Sequence, residues 1–243
     1  MKILGVIPSR YESTRFPGKP LADICGKPMI YWVYEQAKRV KGLDDVVVAT
    51  DSEKIVETCN KYGINVIMTS SKHQTGTDRM SEVANKIDAD FYVNIQGDEP
   101  LIEPETVQKV IDYYIVNPSV QVVNTKTKLL EDEDVNSNTI VKVVSADNGD
   151  GLYLSRSPIP YPKKGQKIQY YKHLGLYGLT KEALMFFANT DRTTNEKIED
   201  IEMLRYMESG YPIKFVTVES NTIGVDCPED IKRVEIAMKN RGM

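Results

Sequence analysis

Three cations, two hydroxyls and a glycine crowd into Arg10-Tyr11-Glu12-Ser13-Thr14-Arg15-Phe16-Pro17-Gly18-Lys19-Pro20. Gly18 and the two prolines shape a turn, so Arg10, Arg15 and Lys19 need not share a helix face. Such a loop suits the oxygens of a polyphosphate. A second cluster, Asn94-Ile95-Gln96-Gly97-Asp98-Glu99-Pro100, turns on a glycine and presents a carboxylate. Beside phosphate, Mg²⁺ takes only one or two protein carboxylates and keeps several waters, which makes Asp98 a candidate ligand. Asp226, within Ile223-Gly224-Val225-Asp226-Cys227-Pro228, is the second candidate. It equally suits the N-cap of the last helix.

The elements that must carry these clusters can be read from the apolar runs. Ile3 to Ile7 is a short buried strand closed by Pro8, which puts the cationic loop at its carboxyl end. Open α/β sheets bind ligands along that edge. Val46–Ala49, Asn65–Met68 and Phe91–Ile95 read as further strands. Helix starts lie between them at Thr50-Asp51-Ser52-Glu53, at Thr75-Gly76-Thr77-Asp78 and at Glu103-Pro104-Glu105. The alternation implies an α/β fold with a doubly wound, mostly parallel sheet.

After Val120 the pattern changes to a smaller antiparallel lobe, with strands at Gln121–Lys126, Ile140–Ser145 and Leu152–Ser155. The turn Asp147-Asn148-Gly149-Asp150-Gly151 falls between the last two. Pro158–Gln166 is a proline- and lysine-rich loop, expected to be mobile, and helical spacing returns at Glu196–Met207 and Pro228–Met238. The expected organisation is one domain over 1–243, with a nucleotide-binding half at 1–120 and an acceptor-binding and dimerisation region at 121–225.

Composition narrows the classes of function. The 243 residues are 41% hydrophobic and 27% charged, ordinary for a soluble domain. With 31 basic and 35 acidic residues the net charge is −4, which gives no footprint for nucleic acid. An anionic ligand must therefore meet a local cationic patch. Cys25, Cys59 and Cys227 are isolated, and no apolar run is long enough for a membrane span, so a cytoplasmic address is expected. Both Gly-Lys pairs precede proline, so the Ser/Thr of a Walker A loop is missing. There is also no G-x-G-x-x-G after the first strand and no G-x-S-x-G elbow.

The ordered motifs resemble the 3-deoxy-manno-octulosonate cytidylyltransferase (CMP-KDO synthetase) family almost end to end. They include I-P-x-R-Y-x-S-T-R-x-P-G-K-P-L at Ile7–Leu21, A-T-D at Ala49–Asp51 and the block from His73 to Arg79. V-N-x-Q-G-D-E-P follows at Val93–Pro100, then V-K-V-V at Val141–Val144 and Y-x-S-R-x-x-I-P at Tyr153–Pro160. H-L-G-x-Y-G at His173–Gly178, E-x-I-E-x-x-E-x-L-R at Glu196–Arg205 and G-V-D-x-P-E-D at Gly224–Asp230 complete the set.

The resemblance implies CMP transfer from CTP to an acidic 3-deoxy sugar, with Mg²⁺ as cofactor, in a homodimer serving lipopolysaccharide or capsule synthesis. It implies that Arg10, Ser13, Arg15, Lys19 and Arg79 hold the nucleotide, with Asp98 and Asp226 on the metal. Arg10, Lys19, Asp98 and Asp226 would carry the catalysis. Gln96, Arg156, His173, Tyr177 and Glu202 would form the acceptor pocket. Three departures from the family pattern lie among the acceptor motifs: Lys172 stands for the usual Arg, Leu179 for a common tyrosine, and the stretch Pro160–Tyr171 is shorter. They leave open KDO, 8-amino-KDO or a sialic-type nonulosonic acid, and an inert nucleotide-binding regulator remains the alternative from another class.

Overall fold

The computed structural model describes residues 1–12, 16–220 and 222–242. Its first half runs β1 (Ile3–Ser9), β2 (Asp23–Ile24), β3 (Lys27–Pro28), α1 (Met29–Lys38), β4 (Asp45–Thr50), α2 (Glu53–Lys61), β5 (Val66–Met68), α3 (Gly76–Lys86), β6 (Phe91–Asn94) and α4 (Pro104–Val116). The second half continues with β7 (Val122–Lys128), β8 (Lys142–Ser145), β9 (Gly151–Ser155), β10 (Tyr171–Thr180), α5 (Lys181–Ala188), α6 (Thr194–Glu199), α7 (Met203–Glu208), β11 (Lys214–Thr217) and α8 (Asp230–Asn240).

The main sheet has the order β11-β7-β10-β6-β1-β4-β5. β1 lies parallel to β4 and β6, β4 to β5, and β7 to β11. β10 runs antiparallel to both β6 and β7. The antiparallel hairpin β8–β9 branches from β10, so the expected smaller lobe is continuous with the main sheet. Along β1, Leu4 and Val6 pack on one face with Val83 of α3 and Leu184 of α5. Ile3 and Ile7 pack on the other with Val33, Ile55 and Val110 of α1, α2 and α4. Cover on both faces is why this strand is apolar throughout rather than alternating. A third cluster, including Ile24, Met29, Val225, Val234 and Met238, seats α8 against the β2–β3 hairpin.

Two glycines let the chain approach itself closely at the sheet's carboxyl edge. A Cβ on Gly97 would stand 2.9 Å from the carbonyl oxygen of Pro8, and one on Gly175 would stand 2.1 Å from Gln96 Nε2. Gly175 lies in an irregularity of β10, where pairing with β7 shifts register between Leu174 and Tyr177. Such bulges re-aim the side chains on either side.

The helix expected over Glu196–Met207 is two short helices, α6 and α7. Asp200 breaks it with φ 52° and ψ 53°, a left-handed conformation that no glycine or proline announces. The last helix begins at Asp230, later than expected, because Asp230 Oδ2 accepts from the backbone N–H groups of Asp226 and Cys227. Asp226 is therefore not its N-cap.

Candidate functional site

The carboxyl ends of β1 and β6 open into a cavity of about 660 Å³. Ser9 and Arg10 reach it from β1, and Asn94, Gln96, Gly97 and Asp98 from β6 and the turn after it. The start of α3 closes a third side with Gly76 and Arg79, while Tyr177, Asp200 and Glu202 come from the second half of the chain. The cavity thus occupies the edge where open α/β sheets bind their ligands.

On the expected nucleotide side, Lys19 holds the arrangement together. Its ammonium donates to Asp98 Oδ2 at 2.7 Å and to the carbonyl of Val225 at 2.9 Å. The backbone N–H of Val225 donates in turn to the carbonyl of Asp98. These bonds bring the segment carrying Asp226 against the turn carrying Asp98, although the two residues are 128 positions apart in sequence (226 − 98). Asp226 itself is exposed and lies outside the cavity lining. Burial, reinforced by the charge of Asp98, raises the neighbouring Glu99 carboxyl to about 7, so Glu99 is mostly protonated below neutral pH. Arg10 is exposed and donates to the carbonyl of Gln74. Arg79 also lines the cavity but is only 1% exposed and already paired, through Nη2, with Asp51 at 2.8 Å. Its guanidinium thereby fixes the Ala49-Thr50-Asp51 turn to α3. Ser13 and Arg15 lie outside the described residues.

Replacing Lys19 with Ala is expected to raise KM for CTP and lower kcat together, whereas Lys239→Ala, on the exposed tail of α8, should do neither. Loss of one such electrostatic stabiliser costs on the order of 10²–10³ in rate. Wild-type nucleotide affinity in Lys19→Ala would remove the loop from any phosphate role.

The residues expected for the acceptor divide into two groups. Gln96, Tyr177 and Glu202 face the cavity together. The amides of Gln96 and Asn94 both donate to the carbonyl of Gly175, at 3.1 and 2.7 Å, which pins them to the bulge in β10. Tyr177 shares a 2.9 Å hydrogen bond with the hydroxyl of Thr77, whose backbone N–H donates to Glu202 Oε2 at 3.2 Å. That N–H belongs to the first turn of α3, whose Thr75–Asp78 capping box satisfies the neighbouring donors. Burial raises the carboxyl of Glu202, and burial together with the charge of Glu202 pushes the Tyr177 phenol well above its ordinary value.

Arg156 and His173 are not part of the lining. Arg156 spends its guanidinium on backbone carbonyls: Glu199 at 2.6 Å, Asn138 at 2.8 Å and Asp200 at 3.1 Å. Expected in the acceptor pocket, Arg156 is in this structure a clamp on the chain. His173 stands on β10 and donates its backbone N–H to Val141. Burial lowers its imidazole to about 4, so it is neutral at physiological pH, and its buried Nε2 has no partner among the described residues.

Sequence reasoning missed Ser9, Asn94 and Asp200. Asn94 was within reach, because it ends the strand that leads into Gln96 and Asp98. Ser9 has a buried hydroxyl without a partner among the described residues, which only the packing reveals.

The family model for the cytidylyltransferases matches residues 4–220. A 3-deoxy-manno-octulosonate cytidylyltransferase from Geobacter metallireducens is 43% identical over 245 aligned positions, covering 96% of each chain. The enzyme of the same name from Fusobacterium nucleatum is also 43% identical, again over 96% of each chain. Among solved structures, a CMP:2-keto-3-deoxy-manno-octonic acid synthetase complexed with CTP superposes with a TM-score of 0.95. That protein is 40% identical, with 99% of this chain and all of the other covered. A 4-diphosphocytidyl-2C-methyl-D-erythritol synthase from Anaerococcus prevotii shares the fold alone, with a TM-score of 0.64 at 17% identity over 98% of this chain and 99% of that one. With a family model spanning nearly its whole length and relatives of this identity end to end, the chain belongs to the cytidylyltransferase family, alongside the 3-deoxy-manno-octulosonate enzymes.

Proposed function

We propose that this cytidylyltransferase transfers CMP from CTP to the anomeric hydroxyl of 3-deoxy-manno-octulosonate, releasing pyrophosphate. The observation that carries the reading is one cavity lined by two chemically distinct sets of residues. Arg10, Lys19 and Asp98 stand at a strand-end loop, and the uncharged donors of Gln96 and Tyr177 stand beside Glu202.

In the proposed reaction the acceptor oxygen bonds to the α-phosphorus as the bond from that phosphorus to the β-phosphate oxygen breaks. The hydroxyl proton passes to water. Negative charge accumulates on the phosphate oxygens, so fixed cations supply most of the acceleration. Lys19 would exchange Asp98 and the Val225 carbonyl for phosphate oxygens, and Arg10 would meet the same group from the other side of the loop. Asp98 and Asp226 would hold Mg²⁺, because two hard carboxylates completed by phosphate oxygens and water are the donor set this ion takes. When bound, the ion neutralises charge on the triphosphate. Gln96 and Tyr177 would orient the sugar hydroxyls, Tyr177 remaining a protonated donor at any working pH because its phenol is raised.

Two of the departures from the family pattern, Leu179 and Lys172, fall outside the cavity lining, so they do not argue against the octulosonate. Leu179 is fully buried in the core, and Lys172 forms an ion pair with Glu133. The resemblance further supports a homodimer and a product consumed in lipopolysaccharide or capsule synthesis. The three unpaired thiols suit a cytoplasmic address. No described helix is long and apolar enough to cross a membrane.

Pyrophosphate release from CTP, measured across KDO, 8-amino-KDO and a sialic-type sugar, tests the reading. KDO is expected to give the highest kcat/KM. A higher value for another sugar would move the acceptor assignment, and no release with any of them would leave only nucleotide binding.

A further inference from the structure

Lys142 has no solvent exposure at all, and no carboxylate pairs with it among the described residues. Its ammonium instead donates to backbone carbonyls of Ser137 at 2.9 Å, Ile140 at 2.7 Å and Arg156 in a shorter contact. Burial lowers its proton affinity, with Glu199 opposing that shift from a distance. A buried ammonium carries a desolvation cost that an apolar side chain of similar length would avoid. What the charge provides here is three donors converging on the loop 137–140 and on residue 156.

From residue 156 the connection continues to the cavity. The Arg156 side chain takes up the carbonyls of Asn138, Glu199 and Asp200, so both cations grip the same loop, and the second also grips the α6–α7 junction. Glu199 answers with its carboxylate, accepting from the Ser155 hydroxyl at 2.6 Å and from the Arg156 backbone at 2.9 Å. Asp200 holds its left-handed conformation between Arg156 on its carbonyl and Arg192 on its carboxylate. Conformations of that kind persist only where surrounding contacts over-determine them. Asp200 and Glu202 form part of the cavity wall.

We infer that Lys142 is a positioning residue for that wall: it touches no substrate, and acts through Arg156 to set Asp200 and Glu202 against the acceptor. The inference rests on the proposed function for the identity of the acceptor, not for the geometry.

The test is Lys142→Met, which keeps the length and removes the donors. Acceptor KM should rise roughly ten- to a hundredfold, the scale of effect that a small displacement of a positioning group produces. CTP affinity, measured by calorimetry without acceptor, should stay at the wild-type value. Arg156→Ala and the double variant should share one acceptor KM, because residues acting in series are not additive. Lys142→Gln retains two donors and should fall between wild type and Lys142→Met, which guards against loss of folding in the latter. A lower Tm with wild-type acceptor KM, an equal rise in both substrates' constants, or full additivity with Arg156→Ala would each overturn the inference. Amide exchange over 199–202 should quicken in Lys142→Met or Lys142→Gln while that over 76–79 does not. This last readout needs no acceptor, so it separates failure of the inference from failure of the assigned function; unchanged exchange at 199–202 would sink the inference alone.

Discussion

Asp98→Asn should lower kcat by on the order of 10³ at ordinary Mg²⁺ while leaving the fold intact, the scale expected when charge stabilisation is lost from a transition state. The substitution keeps shape and removes charge, and an amide is a poor ligand for a hard divalent cation. Stability should change little. The Lys19–Asp98 pair is partly exposed, at 16% and 34%, and pairs of that kind contribute up to roughly 1 kcal/mol. The informative reading is nucleotide affinity without metal. In the wild type Asp98 occupies the Lys19 ammonium at 2.7 Å and adds a negative charge where the triphosphate is proposed to lie. Freed of that partner, Lys19 should bind metal-free CTP as well as before or more tightly. Turnover would then fall while metal-free binding holds or rises. That pattern separates a metal ligand from a residue whose loss only loosens the loop, which would weaken both. Asp226→Asn should lose turnover on the same scale, since it too removes charge and leaves an amide that is a poor ligand for a hard divalent cation. Turnover within about threefold of wild type in either variant would remove that residue from the metal role, since a lost charge stabiliser costs far more.

That Arg10, Lys19 and Asp98 share one sheet edge was legible because the chemistry is local in sequence. The cationic loop directly follows an apolar strand, and the carboxylate of Asp98 directly follows another, so naming the strands placed both clusters at one edge. The elements that escaped notice depend on tertiary context. α1 is rich in aromatic and β-branched residues (Met-Ile-Tyr-Trp-Val-Tyr) and forms because Met29, Ile30, Val33, Tyr34 and Ala37 are buried, not because its residues favour helix. β10 contains Gly175 and Gly178, which weaken a strand signal. Both are needed there, since a Cβ on Gly178 would stand 2.2 Å from the Phe91 ring. The acceptor side was legible as residue types but not as geometry. Arg156 reads as a guanidinium available for a carboxylate until the carbonyls of Glu199 and Asp200, more than 40 positions onward, are seen to occupy it. The break at Asp200 had no punctuating residue, so a continuous helix was the natural expectation.

The largest loss of stability should come from Glu196→Gln, far from the reacting atoms but beneath the wall they rest on. Glu196 is fully buried and Arg205 is 4% exposed. They meet in a two-bond fork, Arg205 Nε to Oε2 at 2.8 Å and Nη2 to Oε1 at 2.7 Å. The remaining Arg205 donors reach the carbonyls of Phe187 and Thr190, and the guanidinium lies 3.6 Å over the Phe187 ring. Neutralising the carboxylate leaves a buried guanidinium whose nearest remaining carboxylate is Asp78, at 4.0 Å. Breaking a buried pair in this way costs about 3–5 kcal/mol. For a chain of this size that corresponds to a fall in Tm of roughly 6–20 °C. Removing both charges together, as Glu196→Leu with Arg205→Met, should recover most of the loss, because Arg192, the other partner of Glu196, is part-exposed and keeps Asp200. Disrupting the exposed Lys167–Glu131 pair, more than nine-tenths accessible on both sides, should leave Tm where it was. The functional consequence follows from connectivity. Glu196 opens α6, Arg205 lies in α7, and Asp200 to Glu202 are the residues between them, so the fork fixes both ends of the cavity wall. Folded Glu196→Gln, assayed well below its Tm, should therefore show a raised KM for the acceptor and an unchanged affinity for CTP. A Tm within a degree or two of wild type would mean that the fork is relieved by water, and the account of the wall as a rigid element would fail with it.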